Sequence, residues 1–170
     1  MIHVQTYIYF PVYNPSFPEE IPVDDMDTLR KAEPYLDFER LHGHIELSYY
    51  GQPILTDKFG DFIKDYWDYM LQAIRSFLKN GVGGMSLPDQ PIPITIEEQG
   101  SNWVLMTVGD DGEYGKWLLP REELIKTLLD GAIRFYKGLS EAFSDSIVQQ
   151  YRFKDAYKHL LSYKKQCFGE

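Results

Sequence analysis

Residues 57–79, "DKFGDFIKDYWDYMLQAIRSFLK", constrain the fold more than any other stretch of this chain. Phe59, Phe62, Ile63, Tyr66, Met70, Ile74, Phe77 and Leu78 recur at steps of three and four, which lays one broad apolar stripe along a helix. Thr56 or Asp57 can cap its start, and Asn80-Gly81 supplies a left-handed stop. Burying such a stripe is worth roughly 1.5–3 kcal/mol per large side chain before the entropy of ordering is deducted. The helix therefore demands a second layer to pack on.

The remainder of the chain supplies that layer. Residues 2–10, "IHVQTYIYF", alternate Ile2, Val4, Thr6, Ile8 and Phe10 with His3, Gln5, Tyr7 and Tyr9, the period of a strand with one buried face. Residues 36–50 are strand-like too, either as one strand bent at Gly43 or as a hairpin turning on His42-Gly43. Ile45, Leu47 and Tyr49 then face one way, and His44, Glu46, Ser48 and Tyr50 the other. Ile92, Ile94 and Ile96 alternate; a turn at 100–102, a strand over 103–108, a tight turn at 109–112 and a strand over 114–119 follow. Between these groups, "GVGGMSLPDQP" at 81–91 reads as a flexible loop.

Pro120 opens a second long helix, with Glu122 and Glu123 in its first turn where the macrodipole favours acids. Leu124, Leu128, Ile133, Tyr136, Leu139 and Phe143 form its buried face, and Gly131 and Gly138 on nearly the same side allow close backbone approach. Ser144 or Ser146 caps a basic C-terminal helix over 144–170. Residues 14–34 carry four prolines and six acids, and read as a long acidic loop with one helical turn after Asp27. The expected class is α+β: one domain over 1–170, an antiparallel sheet with two long amphipathic helices and a C-terminal helix packed against it.

Charge narrows the choice of partners. The formal net charge is −9, and residues 1–50 hold nine acids against Arg30, Lys31 and Arg40. A surface of that sign repels phosphate backbones, so nucleic acid is not the expected ligand. It attracts a basic protein. The 13 tyrosines exceed what a core readily takes, since each hydroxyl needs a partner or water, and exposed Tyr is a rigid contact residue. Glu19, Glu20, Asp24, Asp25 and Asp27, with nearby tyrosines, are the candidate partner-binding residues. No apolar run approaches the ~20 residues of a membrane helix, and the N-terminus reads as a strand instead of a signal peptide. With one cysteine, Cys167, no internal disulfide can form, and the expected location is the cytoplasm. The basic, aromatic C-terminal stretch is expected to lie on the protein's own acidic surface or to mediate homo-oligomerisation.

One constellation suggests chemistry. His42, His44 and Glu46 in "LHGHIELSYYG" fall on one face of a continuous strand, and two imidazoles with a carboxylate are a known metal set. That makes a metal-dependent enzyme or metal sensor the alternative reading. Against it stand Gly43, which invites a bulge, and the bland reading of the trio as the watery side of an amphipathic strand. Asp110-Asp111-Gly112 fits a hairpin turn and lacks the ligand spacing of a calcium loop. The glycines of 81–86 follow a helix, the reverse of a phosphate loop. No Gly-x-Ser-x-Gly elbow occurs, and Asp61, Asp65 and Asp68 read as a solvated helix face.

"GQPIL" (51–55) leads into the first long helix and "WLLPREEL" (117–124) joins the last strand to the second, a strand–helix–strand layout. With its size and charge, the chain resembles small acidic bacterial proteins of the toxin-immunity type. The resemblance implies a non-enzymatic domain that captures a basic protein and needs no cofactor. It assigns no residue a role.

Overall fold

A computed structural model describes residues 1–169. The chain begins with β1 (Ile2–Tyr9), β2 (Glu20–Pro22), α1 (Met26–Ala32), β3 (His42–Tyr49), β4 (Gln52–Leu55), β5 (Asp61–Phe62) and α2 (Ile63–Asn80). It continues through β6 (Val82–Ser86), β7 (Pro93–Gln99), β8 (Trp103–Val108), β9 (Gly115–Pro120), α3 (Arg121–Ala142), α4 (Asp145–Tyr151) and α5 (Phe153–Phe168). The class is α+β, but the strands form two antiparallel sheets where the sequence suggested one. The first runs β2-β1-β3-β4 with β5 also paired to β3, and the second runs β6-β7-β8-β9. Inward side chains of both sheets and the long helices join one hydrophobic cluster.

The stripe on α2 buries Ile63, Tyr66, Met70, Ile74 and Phe77 as its period dictates. The helix starts at Ile63 and not at residue 57. Thr56 caps only a single 3₁₀ turn over Asp57–Phe59, after which Gly60 is extended. Asp61, read as a solvated helix residue, is instead buried and holds this segment in strand geometry. Its carboxylate accepts from the backbone N–H of Phe62 at 2.7 Å and of Asp89 at 3.1 Å, and from Gln90 Nε2 at 3.3 Å. A buried carboxylate must find donors, and here they come from its own strand and from the backbone and side chain of the loop after β6.

The glycine-rich stretch after α2 is an edge strand, β6, and not a flexible loop. A Cβ at Gly83 would lie 1.9 Å from the Ala73 carbonyl oxygen, so the strand has no side chain there because helix backbone occupies the space. The glycines of α3 act similarly: a Cβ at Gly138 would come within 2.5 Å of the Val23 carbonyl oxygen, and one at Gly131 within 2.8 Å of Val4. Through them α3 lies close to β1 and the segment after β2. Trp67 on α2 completes this junction by donating its indole N–H to the Thr6 hydroxyl at 3.1 Å, fully buried.

Two further expectations need correction. Residues 14–34 are not one loop: Glu20–Pro22 pairs with β1, and Met26–Ala32 is a helix whose Leu29 and Ala32 are buried. The C-terminal helix is broken at Arg152, which takes the left-handed conformation (φ 59°) between α4 and α5. α5 packs on α3, where Lys164 Nζ meets Asp130 Oδ1 at 2.7 Å, and the Arg75 guanidinium lies 5.0 Å over the Tyr163 ring. Part of the basic helix is thus spent on the protein's own acids. Among the described residues, no helix is long and apolar enough to cross a membrane.

Candidate binding surface

β1 sends Ile2, Val4, Thr6 and Ile8 into the core, which leaves His3, Gln5, Tyr7 and Tyr9 on the outer face of the first sheet. Antiparallel register decides what they meet. On β3, His3 stands opposite Ser48, Gln5 opposite Glu46, and Tyr7 opposite His44; on β2, Tyr9 stands opposite Glu20. β3 is one continuous strand through Gly43, which settles the choice between strand and hairpin. A Cβ there would lie 2.0 Å from the Tyr7 carbonyl oxygen, so glycine is what lets β1 and β3 approach.

The outer face is less wet than alternation alone implies. His44 is fully buried because Tyr7 stacks on it at 4.9 Å with planes 14° apart, and Tyr9 tilts over it at 5.5 Å. The far end of Tyr9 reaches Gly60, where a Cβ would sit 2.6 Å from the phenol oxygen. His44 Nε2 lies 3.4 Å from Glu46 Oε1, and its Nδ1 has no hydrogen-bond partner. His42 does not join them. It is exposed and stacks on Phe62 at 4.4 Å. Among the described residues, no three His, Cys, Asp or Glu side chains converge as metal ligands would.

What does converge is negative charge around phenols. Burial, then Glu20 and Asp57, push the Tyr9 hydroxyl up to about 12. Burial, then Glu46, Glu20 and Asp24, raise that of Tyr7. Both phenols stay protonated at neutral pH, which leaves two O–H donors and two ring faces set among four carboxylates. No lysine or arginine occurs in β1, β2, β3, β4 or β5, so the sheet itself supplies no compensating cation.

The five acids chosen from sequence divide among three places. Glu20 flanks Tyr9, and Asp24 accepts from Gln5 Nε2 at 3.0 Å, so both border the outer face. Glu19 pairs its backbone carbonyl with Phe10 N–H at 2.9 Å where the β1–β2 loop closes. Asp25 and Asp27 lie at the start of α1. Asp25 caps it, accepting from Thr28 N–H at 3.2 Å and the Thr28 hydroxyl at 2.7 Å, and Asp27 lies 3.6 Å from Arg30. Glu46 and Asp57 join the acidic ring without having been chosen for it, because their place depends on which strands pair. No protein-family model matches the chain, nor does any curated protein or solved structure.

Proposed function

We propose that the protein is a non-enzymatic binding domain of the immunity type, capturing a basic protein partner on the outer face of its first sheet. One observation carries the reading: Tyr7 and Tyr9 lie among Glu20, Asp24, Glu46 and Asp57 on a sheet whose strands contain no lysine or arginine. Rigid aromatic area gives contact at little entropic cost, and matched charge accelerates encounter and fixes register. Phenol donors beside carboxylate acceptors also suit the mixed edges of a protein surface more than the uniform charge of a polyanion.

Calorimetric titration with an oligo-arginine peptide tests this. Binding should be measurable at low salt and weaken steeply as salt rises, because exposed charges are screened. Replacing Asp24→Asn with Glu46→Gln should weaken it about tenfold, equivalent to ~1.4 kcal/mol. Replacing Glu97→Gln with Glu113→Gln, an equal loss of charge on exposed positions of the second sheet's side, should change little. Absence of binding at low salt, or equal effects of the two double variants, would contradict the reading.

A further inference from the structure

Beside the tyrosine face, the loop joining β1 to β2 borders an open hollow of about 710 Å³. Tyr9, Phe10, Tyr13, Phe17, Glu19 and Glu20 are among its walls, and no lysine, arginine or histidine lines it. Phe10 and Phe17 stack at 4.3 Å with planes 9° apart, and Tyr35 braces both from the side at 5.4 and 5.6 Å. The loop is held in shape by its own backbone, with Phe10 N–H on Glu19 O at 2.9 Å and Phe17 N–H on Asn14 O at 3.0 Å. Tyr13, at the mouth, is 86% exposed. Aromatic walls with two carboxylates and no cation describe a receptor for a positively charged group.

We propose that this hollow receives an arginine side chain of the basic partner. The proposal rests on the reading that a basic protein is the partner, and it names the group that is recognised. A guanidinium is flat and weakly hydrated, so it can lie against a ring while its N–H groups fork onto carboxylate oxygens. A lysine ammonium is a compact, strongly hydrated charge that gains less from stacked walls. The hollow is larger than one side chain, so the residues flanking that arginine share it.

Two peptides of equal length and charge, oligo-arginine and oligo-lysine, separate this from charge attraction alone. The arginine peptide should bind the wild-type protein roughly tenfold more tightly. Tyr13→Ala and Glu19→Gln, both at exposed positions, should each erase most of that preference by weakening the arginine peptide far more than the lysine peptide, with the circular dichroism spectrum unchanged. N-acetyl-arginine amide should shift the ring resonances of Phe10 and Phe17, and its neutral citrulline analogue should not. Equal affinity for the two peptides, or a preference that survives both substitutions, would overturn the arginine site and leave the acidic docking face standing. Failure of both peptides to bind would remove the docking face, and the arginine site with it.

Discussion

Tyr7 and Tyr9 are held protonated by burial first and by neighbouring carboxylates second. Tyr66 is raised by burial and then Asp61, and Tyr136 by burial and then Asp68, to which its hydroxyl donates. A phenol with a raised folded-state pKa stabilises the fold in full below the ordinary value near 10, and that stability is lost as pH climbs through the folded-state value. Thermal melts should therefore show the midpoint falling from about pH 10 upward, with part of the tyrosinate absorbance appearing only on unfolding. Simple titration of all tyrosines near pH 10 in a still-folded protein would contradict it. A second residue-scale expectation concerns Trp67. Thr6→Val leaves its buried indole N–H without an acceptor and should cost about 1–3 kcal/mol in denaturant unfolding, whereas a cost near zero would show that the bond is dispensable.

At the scale of elements, close approach of backbone explains most of the differences between period and structure. Gly83→Ala should destabilise by about 1–3 kcal/mol, since a Cβ there meets the carbonyl of α2. Gly84→Ala meets the Thr95 methyl at 3.4 Å and the Ile94 carbonyl oxygen at 3.6 Å, both ordinary contacts, and its stability should stay within about half a kcal/mol of wild type. Similar losses at the two positions would mean that strand propensity, and not the helix contact, sets the need for glycine. The stripe of α2, its Gly81 stop, the alternation of β1 and the three late strands were legible because each depends on neighbours in sequence. β6 was not, because its glycines answer to a helix that touches it only in the folded chain. The start of α2 was misplaced for a related reason. Phe59 and Phe62 fit the helical period, yet Phe59 packs edge-on to Tyr114 at 5.3 Å and Phe62 covers His42, contacts that belong to a turn and a short strand.

Across the whole molecule, charge and sheet order together define the surface. The sequence shows that acids crowd the first fifty residues and that tyrosines alternate along β1. It does not show that β1 lies between β2 and β3, which brings Glu20, Asp24 and Glu46 around the Tyr7 phenol and Glu20 beside that of Tyr9 as well. Nor does it show that His44 is covered by those rings while His42 turns to Phe62, so two histidines of one strand face end in different surroundings. The basic C-terminal helix sits on α3, which leaves the acidic sheet free of it. Backbone amide mapping of isotope-labelled protein titrated with oligo-arginine peptide tests the docking face most directly. Shifts should concentrate on residues 3–9, 10–24 and 42–48. Perturbations confined to the second sheet or to α5 would show that the basic partner docks elsewhere.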